Sequence, residues 1–139
     1  MNLSAEHLGL AALDPVALRG WYVRVLGARE IFHNRETPPA FLLALPAGPM
    51  LEIYAADSAN QDSRNNKLAG WRHLALRVDS IDSARAELVS RGVTFDEPVK
   101  PAGGGGRVLF FRDPEGNLLH LVERPPDSPL AEGDNRRLR

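Results

Sequence analysis

Three histidines and one glutamate hold matching places in two stretches of this chain. His7 opens His7-Leu8-Gly9-Leu10-Ala11-Ala12, and His73 opens His73-Leu74-Ala75-Leu76-Arg77-Val78, 66 residues later (73 − 7). Gly48-Pro49-Met50-Leu51-Glu52-Ile53 aligns with Gly116-Asn117-Leu118-Leu119-His120-Leu121, placing Glu52 opposite His120 at an offset of 68 (120 − 52). Imidazole and carboxylate in duplicated positions are the donor types of a transition-metal centre. The chain has no cysteine, so thiolate ligands and disulfides are excluded. A metal held by His7, Glu52, His73 and His120 would be a divalent ion of the Zn, Fe, Ni or Co type. A lone histidine on a strand is more often a hydrogen-bonded or exposed residue, and His33, outside the repeat, is read that way.

The elements that must position these residues follow from periodicity. Residues 6–12 alternate as a strand, and Asp14-Pro15 caps a helix running through Leu18, Trp21, Tyr22, Val25 and Leu26 to Gly27. Strands are expected at 29–34, 39–45 and 50–54, with Pro46-Ala47-Gly48-Pro49 as a turn. The polar stretch 57–70 reads as a linker. The second half repeats the order. It has a strand at 72–78, then a Ser80-capped helix with Ile81, Ala84, Leu88 and Val89 inward and Gly92 closing it. Strands are expected near 93–96, 107–112 and 117–123, with a turn at Asp113-Pro114-Glu115-Gly116. The expected fold is α+β, two tandem βαβββ modules (5–56 and 71–124) whose curved mixed sheets surround a metal-binding cleft. Residues 1–124 are expected to form one domain, and 125–139 a flexible tail.

Strand side chains alternate faces. His7 therefore shares a face with Gly9 and Ala11, Glu52 with Met50 and Tyr54, His73 with Ala75 and Arg77, and His120 with Leu118 and Val122. Apolar partners fill the opposite, helix-facing side. A carboxylate among imidazoles is costly to bury without a counter-charge, which a divalent ion would supply. The metal-free alternative is a hydrogen-bonded Glu–His network. Arg77 is a candidate anchor for an acidic substrate or an ordinary surface arginine. Tyr54 and Trp71 are candidate substrate contacts, and Ala102-Gly103-Gly104-Gly105-Gly106 is either a lid or a plain connection.

Other function classes lose ground on composition. The 139 residues suffice for one core, and the net charge of −1 gives no reason to expect nucleic acid or an anionic membrane as partner. No run of roughly 18 apolar residues exists to span a bilayer. Residues 1–6 lack the basic and apolar parts of a signal peptide, so a cytoplasmic protein is expected.

Phe110-Phe111-Arg112-Asp113-Pro114-Glu115-Gly116-Asn117-Leu118-Leu119, with Trp21-Tyr22 before Leu26-Gly27, resembles the vicinal oxygen chelate superfamily over about residues 5 to 124. The resemblance implies paired βαβββ units, a homodimer, a small-molecule substrate, and metal ligands at His7, Glu52, His73 and His120. It also shows departures. The family's last ligand is commonly Glu and here is His120, while Ala11 stands where glyoxalase I often has an arginine for glutathione. Both disfavour glutathione-dependent glyoxalase I. Three neutral imidazoles and one carboxylate leave a divalent ion at net +1, a stronger Lewis acid than two carboxylates would. Glu52, as the set's single carboxylate, is the candidate base if it loosens from the metal, with a metal-bound hydroxide as the rival. The expected activity is that of a metal-dependent lyase or isomerase working on a small oxygenated metabolite through a metal-bound enolate. A non-haem Fe(II) dioxygenase and an antibiotic-sequestering resistance-type protein are the alternatives.

Overall fold

The computed structural model describes residues 1–60 and 62–131. The chain divides into two compact units, Met1–Asp62 with Asp113–Gly116, and Ser63–Arg112 with Asn117–Arg139. Each contains one βαβββ module with a four-stranded mixed sheet, so the α+β class and the tandem modules are as expected.

In the first unit β1 (His7–Ala12), β2 (Arg29–His33), β3 (Phe41–Ala44) and β4 (Met50–Ala55) are ordered β1-β4-β3-β2. The β1–β4 pair is parallel and the others antiparallel. Helix α1 (Pro15–Leu26) links β1 to β2. It starts where sequence places it, because Asp14 accepts a hydrogen bond from Ala17 N at 3.0 Å and proline occupies the first turn. It stops at Gly27, whose φ of 72° is the left-handed conformation of a helix cap. Ala12, Leu18, Tyr22, Val25, Phe41, Leu43, Leu51 and Ile53 form the core. Full burial of a side chain such as Leu43 or Ile53 contributes about 1.5–3 kcal/mol.

The turn at Asp113–Gly116 belongs to this unit by its contacts. Glu115 accepts from Leu13 N at 2.7 Å and Asp14 N at 3.0 Å, at the helix entrance. Buried Asp113 accepts from the Tyr22 hydroxyl at 2.9 Å. Burial first, and then the Asp113 carboxylate, push the Tyr22 phenol well above its ordinary value. Tyr22→Phe is expected to lower stability by about 1.5–3 kcal/mol near neutral pH, since the hydrogen bond is to a charged acceptor. A raised phenol value also means stability present below the unfolded value of about 10 and lost as pH rises through the folded one. Urea titrations of both proteins between neutral and alkaline pH should show that alkaline loss in the wild type and not in Tyr22→Phe.

In the second unit β5 (His73–Arg77), β6 (Lys100–Pro101), β7 (Arg107–Arg112) and β8 (Leu118–Glu123) are ordered β5-β8-β7-β6, again with the first pair parallel. Helix α2 (Ile81–Ser90) is capped by Ser80. Glu123, held below its ordinary value first by accepting from Ile81 N and then by Arg107, ties the helix start to β8. Two expectations need correcting here. Residues 93–96 are not a strand, because the ladder to β7 forms instead at Lys100–Pro101. Val93 and Phe95 serve packing, with Val93 buried and Phe95 5.4 Å from the Phe111 ring. Val89 is exposed, and α2 buries Ile81 and Leu88.

The loop Ala102–Gly106 is a tight connection with bound carbonyls. Arg124 donates to Gly103 O and Gly105 O, and Ser128 Oγ donates to Gly104 O at 2.6 Å. Positive φ at Gly104, Gly105 and Gly106 explains three of the four glycines of the run. The described part of the expected tail, 125–131, is thus hydrogen-bonded to this loop; residues 132–139 lie outside the described residues.

Candidate metal and substrate site

Parallel pairing puts the duplicated residues in equivalent registers. Glu52 pairs with Gly9, two residues after His7, and His120 pairs with Ala75, two residues after His73. Alternation then turns each His and its partner to the same sheet face. In β1 and β4 the helix-facing residues Leu8, Leu10, Leu51 and Ile53 are the more buried set.

In the first unit His7 Nε2 lies 3.6 Å from Glu52 Oε2, and His7 Nδ1 lies 3.1 Å from Glu6 Oε1. The Tyr54 ring covers Gly9, where an added Cβ would sit 3.3 Å from Tyr54 Cε1. The absent side chain at Gly9 therefore makes room for that ring beside Glu52.

In the second unit the rings of His73 and His120 stand 4.8 Å apart, and Phe110 packs at 4.8 Å from His120 and 6.0 Å from His73. His73 Nδ1 is 2.8 Å from Asn66 Oδ1, and His120 Nδ1 is 3.2 Å from the Leu121 carbonyl. His120 is buried, and that desolvation pulls its imidazole below the ordinary histidine value, with the neighbouring His73 and Arg124 adding to the shift and the Leu121 hydrogen bond opposing it. The neutral form favoured by that shift is the one a metal ligand requires.

The Arg77 guanidinium donates to the backbone carbonyls of Leu130 and Ala131. Trp71 is 86% exposed, so it does not serve the core. Among the described residues no group of three or more His, Asp or Glu side chains is close enough to hold a metal. Two pairs are gathered, His7 with Glu52 and His73 with His120, each inside its own unit. Glu6, Asn66 and the Leu121 carbonyl are contacts of these histidines that sequence reading missed. Glu6 could have been suspected as a neighbour of His7. Nothing distinguishes Asn66 from Asn60 or Asn65 in the same polar stretch, and a backbone carbonyl leaves no sequence signal.

The comparison with known proteins agrees with this arrangement of sheets. The family model of the Glyoxalase/Bleomycin resistance protein/Dioxygenase superfamily matches residues 4–121. The chain belongs to that superfamily. Within the glyoxalase/bleomycin-resistance/dioxygenase superfamily, a crystal structure from Sphaerobacter thermophilus DSM 20745 is similar at a TM-score of 0.70 with 27% identity, covering 88% of this chain and 98% of that one. TnmS3, an antibiotic binding protein from Streptomyces sp. CB03234, is similar at a TM-score of 0.68 with 25% identity, over 90% and 99% of the two chains. The uncharacterized protein YaeR of Escherichia coli K12 is 28% identical over 122 residues, 86% of this chain and 95% of YaeR. Among the described residues, no helix of this superfamily member is long and apolar enough to cross a membrane.

Proposed function

We propose that this chain is a metal-dependent lyase or isomerase acting on a small oxygenated metabolite. In this reading His7, Glu52, His73 and His120 share one divalent transition metal, whether the two pairs come from one chain or from two copies in a homodimer. The observation that carries the reading is the orientation of the three imidazoles. Each places Nδ1 against an oxygen that can only accept: Glu6 carboxylate, Asn66 Oδ1 and Leu121 carbonyl. In the neutral form His73 and His120 therefore donate Nδ1–H and keep the lone pair on Nε2, the state in which histidine binds metals, while His7 stands between two carboxylates, with Nε2 3.6 Å from Glu52 Oε2. His33 makes a similar contact, to Glu30, but lies outside the duplicated register. The donor types suit an ion of the Zn, Fe, Ni or Co class, and among the described residues they gather as two pairs and not as a group of three or more. When bound, the ion supplies Lewis acidity to a substrate with adjacent oxygens.

Glu52 is the set's single carboxylate and takes the role of base, receiving the proton from the carbon beside the substrate carbonyl. The Tyr54 ring provides an apolar wall on the same face. Arg77, already holding two carbonyl oxygens, has the donors to grip a substrate carboxylate. Trp71 adds an exposed aromatic surface next to the His73 strand.

The test is solvent-deuterium exchange into α-hydroxycarbonyl and 1,2-dicarbonyl compounds, followed by NMR with protein loaded with Zn, Co or Ni. Exchange is expected in the wild type and is expected to fall about 10²–10⁴-fold in Glu52→Gln, the usual worth of a positioned base. Oxygen uptake seen with Fe(II) alone would favour a dioxygenase instead. The likeness to antibiotic-binding TnmS3 supports a second reading, sequestration. Tight antibiotic binding by metal-free protein, without any exchange, would establish that reading over this one.

A further inference from the structure

We propose that Asn66 is a positioning residue for His73: its side-chain oxygen holds the Nδ1 proton and thereby fixes Nε2 as the nitrogen presented to a metal. The proposal deepens the metal reading above and rests on it. Nothing in the duplicated motif points to Asn66, which lies in the polar stretch between the two halves.

Three observations support it. The contact is short and direct, 2.8 Å from Asn66 Oδ1 to His73 Nδ1, and spans seven residues of chain. The loop that carries Asn66 is tied down. Asn65 Oδ1 accepts from Lys67 N at 3.0 Å, Arg72 Nη1 donates to Asn65 O at 3.3 Å, and Arg112 Nη2 donates to Arg64 O at 3.4 Å. The amide is therefore placed by its own loop. Third, the other face of the ring is set by neighbours: His120 stands at 4.8 Å and Phe110 meets it edge-on. A ring fixed at Nδ1 and flanked by two aromatics has one nitrogen left to offer.

The physical consequence is a choice of tautomer. A neutral imidazole carries its proton on either nitrogen, and only the form protonated at Nδ1 leaves Nε2 able to coordinate. An oxygen acceptor at Nδ1 selects that form. Outer-shell partners of this kind are worth about 10–100-fold in metal affinity. His73 and Asn66 are both exposed, so water can replace part of the interaction, and an effect near 10-fold is expected.

The experiment uses the full chain as wild type, Asn66→Leu and Asn66→Asp. Leucine approximates the shape without an acceptor, and aspartate restores an acceptor oxygen. Long-range ¹H–¹⁵N spectra of metal-free protein at about pH 8, above the ordinary histidine range, report which ring nitrogen carries the proton. Zn affinity is measured in parallel by chelator competition. The expected result is Nδ1–H on His73 in the wild type and Asn66→Asp. In Asn66→Leu a shift toward Nε2–H should accompany about 10-fold weaker Zn binding. An unchanged tautomer in a folded Asn66→Leu protein overturns the proposal. So does a loss of Zn affinity that Asn66→Asp fails to restore. If the tautomer shifts as expected but no variant, wild type included, takes up Zn, the positioning role stands and the metal reading fails.

Discussion

Gly106→Ala is expected to destabilise the protein by about 3–5 kcal/mol, combining left-handed backbone strain with overpacking. Gly106 has a φ of 98°, and a Cβ there would sit 1.9 Å from the Glu123 carbonyl oxygen. That oxygen is backbone within β8, so it cannot swing aside like a side chain. Relief would require moving the strand that carries His120. Gly103 provides the control. An added Cβ at Gly103 meets nothing within 4 Å, so Gly103→Ala is expected to be neutral or to stabilise by up to about 1 kcal/mol through the unfolded state. Urea denaturation of the two variants checks both, and a loss below about 1 kcal/mol in Gly106→Ala would contradict the packing described here.

His73→Ala and His120→Ala are each expected to weaken Zn binding by more than about 100-fold, because loss of even an outer-shell partner costs about 10–100-fold. His33→Ala should leave binding unchanged. Its side chain is 62% exposed, and it sits on β2, away from the β1–β4 register that holds His7 and Glu52. Chelator competition with purified protein measures all three. Equal affinities across the set would remove His73 and His120 from the proposed ligands.

Much of this fold could be read from side-chain alternation. Leu8-Gly9-Leu10 and Leu74-Ala75-Leu76 each place large and small residues on opposite faces, which is why β1 and β5 and the facing of their histidines were legible. Asp14-Pro15 and Gly27 bounded α1 for local reasons that need no tertiary information. The failures came where partners decide. Val93 and Phe95 alternate like a strand, but β7 pairs with Lys100 and Pro101 instead, and a ladder partner is not encoded in the segment itself. Val89 fits the helical stripe yet stays exposed, while Ile81 and Leu88 are buried and Ala84 half-buried. The duplicated places of His7, Glu52, His73 and His120 were visible, and the structure gathers them as two pairs, one in each unit. The groups that contact the histidines were not visible, since Asn66 is one of several polar loop residues and the Leu121 acceptor is main chain. Glu115 looked like part of a turn motif. Its grip on Leu13 N and Asp14 N joins segments about a hundred residues apart, which no local pattern displays.

Elemental analysis of the purified 139-residue protein tests whether His7, Glu52, His73 and His120 serve the one metal ion proposed above. About one Zn, Fe, Ni or Co per chain is expected, as for a single four-residue set, lost in His73→Ala and in His120→Ala. Absence of metal even after incubation with each of these ions, or full metal content retained in both variants, would contradict it.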